Sequence, residues 1–267
     1  MKIAIWQTSA SLRDPDGGSR LAARAAEAAA AGATVLVVPE CFTSGYHIPD
    51  MATVAQPADG PWAAAIAQVA RECGIAIAYG SPEASPDGVL NVARLVDAAG
   101  ELVAETVKTH LYGDIDRSMF VPGRSLSPIV EFDGLKVGML ICYDVEFPET
   151  VRSLALAGAD VVLVPTALMA PEESIAKVVV PTRALENQVV VAYANRVGQE
   201  QELTYVGLSC VVGPDGVDLA RAGSGDELVL AEIDPAALTS ARAAYNQLRD
   251  RRPELYGSLV AGEGADR

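Results

Sequence analysis

Residues 136–149 read Lys-Val-Gly-Met-Leu-Ile-Cys-Tyr-Asp-Val-Glu-Phe-Pro-Glu, and the parsing of this stretch decides the fold. Val137 to Ile141 is an apolar run of strand length. Cys142 and Asp144 interrupt it, and Pro148 pre-sets the backbone angle of a helix's first turn. Val151, Leu154, Ala155 and Leu156 then give that helix an apolar face, Gly158 stops it, and Val161 to Val164 reads as another strand. The result is a strand–turn–helix–strand unit with a thiol at the sharp bend. A nucleophile at such a bend is held out from the sheet edge beside the N–H groups of a helix start. A free cysteine is also a good small hydrophobe for a core, so the rest of the chain has to decide between the two readings.

Upstream, residues 2–8 predict a strand, and Gly17-Gly18-Ser19 opens an Ala-rich helix to Ala31. Thr34 to Val38 is a strand with Glu40 just past its end, followed by a loop from Cys41 to Asp50. A helix over 61–72 and a strand over 75–79 come next. Leu90–Val96 and Glu101–Thr109 predict a hairpin across Asp97-Ala98-Ala99-Gly100, with Lys108 at the end of its second strand. Leu111 to Gly123 is rich in Gly, Asp and Pro and reads as a loop; a strand to Phe132 and an Asp133-Gly134 turn lead into the central stretch. Downstream, Ile175–Asn187 predicts a helix and Val189–Ala194 a strand. Two strands flank Pro214-Asp215-Gly216, another follows Gly225, and the last helix lies within Pro235–Arg249. Interleaved strands, hairpins and helices predict an α/β layered fold with parallel and antiparallel pairing.

The chain has 267 residues, of which 50% are hydrophobic, enough for a sizeable core. No linker or repeat divides it, so one domain over 1–267 is expected. A net charge of −15 argues against a nucleic-acid partner and against docking on anionic lipid. Cys41, Cys73, Cys142 and Cys210 are scattered, with no CxxC pair, which disfavours zinc or redox motifs and suits a reducing, cytoplasmic setting. Neither a signal peptide nor a membrane-spanning run is read.

Glu40, Lys108 and Cys142 each stand at or just past the C-terminal end of a predicted strand. If those strands share one sheet edge the three groups converge, and open α/β sheets gather their sites there. A thiol attacks well only as thiolate. Moving its proton to a carboxylate costs about 6 kcal/mol at reference pKa values. Burial of Glu40 narrows the gap, a neighbouring Lys108 favours the thiolate, and Lys108 with the Tyr143 N–H could hold the oxyanion formed on attack.

Three blocks carry a resemblance: Val-Val-Pro-Glu-Cys-Phe (37–42), Val-Lys-Thr-His-Leu (107–111) and Ile-Cys-Tyr-Asp-Val-Glu-Phe-Pro-Glu (141–149). In this order and spacing the chain resembles the carbon–nitrogen hydrolase family, the nitrilase superfamily. Trp6-Gln7-Thr8, Gly207-Leu208-Ser209 and Pro214-Asp215-Gly216 fit it as well. The resemblance implies a four-layer αββα sandwich. It implies Glu40 as general base, Lys108 as oxyanion stabiliser and Cys142 as nucleophile, with no metal or organic cofactor. It also implies an auxiliary glutamate shortly before Phe120-Val121-Pro122-Gly123. Here that position holds Asp116, one methylene shorter, with Asp114 as a rival. Tyr143-Asp144 after the nucleophile looks like the amide and carbamoyl branches rather than the nitrile-cleaving one.

The expected activity is hydrolysis of a small amide through a Cys thioester, with an N-carbamoyl amide hydrolase or nitrilase as alternatives. Tyr46, Thr166, Ala167, Met169 and His47 are pocket candidates, and Glu146 is expected to orient Lys108 or substrate. Arg152 and Glu149 predict an ion pair along one helix. A Cys–His hydrolase using His47 or His110, and an inactive binding protein on the same fold, are the rivals. The resemblance further implies a homodimer or higher homo-oligomer, with the tail from about residue 250 to 267 docking at the subunit interface.

Overall fold

The computed structural model describes residues 1–260. Its strands in chain order are β1 (Lys2–Gln7), β2 (Val35–Val37), β3 (Ala76–Ser85), β4 (Gly88–Val96), β5 (Leu102–Val107), β6 (Val130–Phe132), β7 (Leu135–Met139), β8 (Val161–Pro165), β9 (Val190–Ala194), β10 (Val197–Glu200), β11 (Leu203–Val206), β12 (Cys210–Val212), β13 (Asp218–Arg221) and β14 (Glu227–Glu232). The helices are α1 (Gly17–Ala30), α2 (Pro61–Cys73), α3 (Gly113–Met119), α4 (Pro148–Leu156), α5 (Val180–Asn187), α6 (Pro235–Ala244) and α7 (Gly257–Val260). Two six-stranded sheets form, in the orders β14-β1-β2-β3-β4-β5 and β13-β12-β9-β8-β7-β6.

The central strands are buried on both faces, which is why they read as unbroken apolar runs rather than alternations. Ile3 and Ile5 face the other sheet, together with Val35, Val37, Val137, Val161 and Leu163. Ala4, Trp6, Leu36 and Ile77 face α1 and α2, meeting Leu21, Ala25 and Ile66. On the far side Val162, Val164 and Val191 meet Val151 and Leu154 of α4 and Val180 and Ala184 of α5. Three cores therefore separate four layers, and the expected αββα sandwich is found.

Within each sheet the middle strands are parallel, β1-β2-β3 and β7-β8-β9. The two sheets bring their C-terminal strand ends together: Glu40 N–H donates to Thr166 O at 3.3 Å, joining the turn after β2 to the turn after β8. This corrects one expectation. Glu40 and Lys108 leave the first sheet and Cys142 the second, so the site lies between two sheet edges rather than on one.

Other differences have local causes. The loop expected over 111–123 contains α3. The late hairpin β10–β11 is not signalled by the sequence, because its turn is made by Gln201 at φ +51 and Glu202 rather than by glycine or asparagine. Arg152 reaches across to Glu186 of α5 at 4.0 Å instead of pairing with Glu149, since α4 packs against α5. Helix α6 ends at Ala244, and α7 lies beyond it in the tail. Residues 261–267 of the expected interface tail lie outside the described residues. Among the described residues, no helix is long and apolar enough to cross a membrane.

Candidate active site

Cys142 sits in the left-handed region at φ +46, which for a residue with a Cβ costs about 1–2 kcal/mol. The chain on its C-terminal side holds that strain: Cys142–Glu146 forms a 3₁₀ turn, and Phe147 and Pro148 lead into α4. The Asp144 carboxylate accepts from Ile141 N–H (3.3 Å), Thr109 N–H (3.2 Å), Thr109 hydroxyl (2.7 Å) and His110 N–H (2.8 Å). One buried carboxylate thus ties the turn carrying Cys142 to the segment just after Lys108. Asp144→Ala strands these donors and is expected to lower unfolding stability by about 2–3 kcal/mol, read as a shift in urea midpoint. An unchanged midpoint would count against this joint.

Lys108, the residue after β5, is completely buried, as are Glu40 and Asp116. Its Nζ lies 2.8 Å from Glu40 Oε1 and 2.6 Å from Asp116 Oδ2. Burial alone would depress the lysine, but Glu40, Cys142 and Asp116 around it hold its pKa well above the ordinary value, so the ammonium stays charged. Helix α3 decides between the two aspartates. Residues two apart on a helix point to opposite sides: Asp116 turns inward, while Asp114 is fully exposed and lies 3.8 Å from Arg117. Asp116 also accepts from Tyr112 N–H (2.8 Å) and from the Tyr46 hydroxyl (2.7 Å).

Glu40 Oε1 accepts a second bond, from Asn91 Nδ2 at 2.7 Å, whereas Glu40 Oε2 is buried without a hydrogen-bond partner among the described residues. Burial pushes the Glu40 carboxyl up, against the pull of Lys108. Burial and then the Glu40 charge push the Cys142 thiol well above its usual range. Lys108, the Thr166 hydroxyl and the Ala167 N–H draw it back only in part. The lysine does favour the thiolate, as expected, but it is outweighed: the resting sulfur carries its proton under the influence of Glu40, whose Oε2 has nothing to bind.

The sulfur opens into a cavity of about 250 Å³ lined by Tyr112, Tyr143, Glu146, Ala167, Leu168, Met169 and Glu172. Tyr143, Glu146, Ala167 and Met169 thus reach the cavity as expected. Thr166 sits behind it, donating to Tyr193 OH at 3.0 Å, and Tyr46 acts through Asp116. His47 does not join them: its ring faces Glu202. His110 stacks on Phe147 and meets Asp144 at 2.9 Å, so neither histidine is placed as a base for the sulfur. A larger cavity, about 350 Å³, lies by α6 at the N-terminal end of β9, the edge away from Cys142.

Asn91, Glu172 and Glu200 are not singled out by the sequence. Glu200, on the unforeseen hairpin, accepts from Tyr46 N–H (2.9 Å), His47 N–H (2.8 Å), Tyr205 OH (2.8 Å) and Arg196 (2.6 Å). Burial opposes its charge, yet Arg196 and these donors hold it below the usual carboxylate range. The Tyr46 loop is thereby fixed against Asp116. Asn91 had a signal, a polar residue inside an apolar strand; Glu200 had none without its hairpin.

The carbon–nitrogen hydrolase family model matches residues 2–243. A hydrolase from Pseudomonas protegens, encoded in the pqqF 5′ region, is 46% identical over 97% of this chain and 92% of its own length. An (R)-stereoselective amidase from a Pseudomonas species is 36% identical over 96% and 93%. Two solved structures of an amidase from Nesterenkonia sp. AN1 superpose with TM-scores of 0.87 and 0.86 at 35% identity, covering 97% of this chain and 97% of theirs. The first, a double mutant, is in complex with acrylamide; the second, a mutant, has the acetamide moiety of fluoroacetamide added covalently at its active-site cysteine. Sequence, fold and these likenesses agree: the chain belongs to the carbon–nitrogen hydrolase family.

Proposed function

We propose that this amidase-type enzyme hydrolyses small primary amides through a thioester on Cys142, with Glu40 as base and acid and Lys108 as oxyanion holder. The observation that carries the reading is the unpartnered Glu40 Oε2 in a fully buried Glu40–Lys108–Asp116 cluster whose charges bear on the Cys142 sulfur.

Attack transfers the thiol proton to Glu40 as the S–C bond forms, so the free thiolate need not accumulate. The carbonyl oxygen takes up the negative charge, facing Lys108 and the Tyr143 N–H, which begins a helical turn and so has no acceptor within it. Glu40 returns the proton to the nitrogen, the C–N bond breaks and ammonia leaves. A water then gives a proton to Glu40 and attacks the thioester carbonyl. The acid departs as the sulfur regains its proton, so amide and water yield acid and ammonia. Asp116 and Tyr46 hold Lys108 in place throughout.

The test is ammonia release from short aliphatic amides, ω-amides, N-carbamoyl compounds and nitriles. Amides are expected to turn over fastest. Turnover confined to nitriles or carbamoyl compounds would move the chain to another branch, and none at all, with four equally sluggish thiols toward iodoacetamide, would favour an inert binding protein.

The active form needs an ionised Glu40 and a protonated Cys142. With a neutral amide, kcat/KM is therefore expected to fall on the acid side at a pH above the ordinary carboxylate range. It should hold through about pH 9, where an unperturbed thiol would already titrate. A loss of activity centred near an ordinary thiol pKa would contradict this assignment. The homodimer reading has support in exposed Leu156, Leu255 and Leu259 on α4 and the tail; a concentration-independent monomer mass in light scattering would end it.

A further inference from the structure

The walls of the Cys142 cavity carry an unmet charge. Glu146 and Glu172 both line it, and both are half-buried. Among the described residues no lysine or arginine lies within salt-bridge distance of either. The candidate cations are committed elsewhere: Lys108 to Glu40 and Asp116, and Arg183 to Glu186 and to the carbonyls of Val145 and Glu146. Burial, and then the charge of Glu172, push the Glu146 carboxyl up to about 7, against the pull of Lys108 and Arg183. A carboxylate that resists ionisation beside another carboxylate is relieved by a cation placed between them.

A second observation concerns the same walls. The Tyr112 and Tyr143 rings stand edge to face at 5.2 Å and also line the cavity. Tyrosine faces attract ammonium groups through the ring quadrupole. Acidic residues and tyrosines around one space of about 250 Å³ match an alkylammonium. They repel a second carboxylate. Cys142 in the wall of this space, under the charge of the buried Glu40 carboxylate with its unpartnered oxygen, marks it as the place of a reacting ligand.

We propose that this cavity selects amides whose acyl part bears a protonated amine, an aminoacyl amide of short chain, with Glu146 and Glu172 receiving the ammonium and Tyr112 and Tyr143 flanking it. The proposal rests on the amidase reading and specifies its substrate class. Neutral amides are turned over without that contact, and amides bearing a carboxylate are disfavoured by repulsion.

The experiment compares kcat/KM for three amides of similar size, β-alaninamide (cationic), butanamide (neutral) and succinamate (anionic), at about pH 8, where the amine is still largely protonated. The cationic amide is expected to exceed the neutral one by about tenfold and the anionic one by about a hundredfold. In Glu172→Gln and, separately, Glu146→Gln, the cationic-to-neutral ratio should drop by about tenfold, a quantity independent of how much of each variant folds. A wild-type ratio at or below unity, or a ratio untouched by both substitutions, overturns the proposal while leaving the amidase reading in place.

If no amide is hydrolysed, the amidase reading falls, and the cavity is then read directly at the sulfur. Cys142 modification by aminoethyl methanethiosulfonate is expected to outrun that by the sulfonatoethyl reagent, each normalised to free cysteine, by about tenfold in wild type and far less in the two glutamine variants. Equal normalised rates in wild type would overturn the cation preference by this second route.

Discussion

Primary-amide turnover is expected to fall to background in Cys142→Ala and by at least about a thousandfold in Glu40→Gln, with both variants folded. The second loss is the informative one. In Glu40→Gln the amide oxygen can still accept from Lys108 and Asn91 at the position of Oε1, and Lys108 keeps Asp116 as its counter-ion. What changes is the other position. The unpartnered oxygen becomes an NH₂ group, which cannot accept the thiol proton. Because burial and the Glu40 charge hold that proton on sulfur in the native site, removing the acceptor removes the group that takes the proton during attack on an amide and returns it to the leaving nitrogen. Removing the Glu40 charge also relieves one cause of the raised Cys142 pKa. Alkylation of Cys142 by an activated reagent should therefore survive in this variant even as amide turnover is lost. Steady-state ammonia release and intact mass after iodoacetamide read the two quantities separately. Glu40→Gln turnover within threefold of wild type would remove Glu40 from the proposed mechanism.

Lys108→Met is expected to cost about 3–5 kcal/mol of stability, because it leaves Glu40 and Asp116 buried with no cation between them. Methionine fills similar volume, so the loss reports charge rather than a cavity. Linkage fixes the sign with pH. In the folded variant at least one of the two carboxyls will hold its proton above the ordinary carboxylate pKa, while the unfolded chain does not. The folded state then binds more protons between those two pH values, so the variant's stability falls as pH rises through that window. The deficit in urea midpoint against wild type should shrink as the pH is lowered from about 8 to about 5. Activity should be lost at every pH, since no positive group remains to face the developing oxyanion. A variant with a wild-type midpoint and activity within tenfold would show that the buried ammonium is needed neither for the fold nor for the proposed chemistry.

The two variants divide the cluster by function. One keeps the packing and removes a proton acceptor; the other removes the charge that makes the packing tolerable. Asp116 and Tyr46 stand on the second side, since Asp116 pairs with Lys108 and the Tyr46 hydroxyl bonds Asp116, neither of them sulfur.

Much of this was legible in the chain. Residues 137–141 and 161–164 read as strands because both sheet faces are covered, so every side chain in them is apolar. Pro148 after a polar break marked the helix start, and Glu40, Lys108 and Cys142 stood at strand ends where charge and thiol had no packing role. The alternation of strands and helices and the strand-end places of these three residues were therefore local facts, carried by periodicity and by where polar residues interrupt it. The αββα layering and the roles expected of the three came instead from the likeness of their motifs to the carbon–nitrogen hydrolase family. Only the tertiary structure could decide that the edges meeting are those of two different sheets. It likewise turned Asp116 inward and left Asp114 in water, matched Arg152 with Glu186 rather than Glu149, and brought a hairpin of ordinary polar residues to clamp Tyr46 through Glu200. Even the direction of the Cys142 pKa was beyond the sequence: Lys108 and Glu40 pull it oppositely, and which prevails depends on how much water the fold leaves around the sulfur. Local pattern records what a segment buries, whereas the partner it finds there is set by a chain contact tens of residues away, and no short-range signal encodes that meeting.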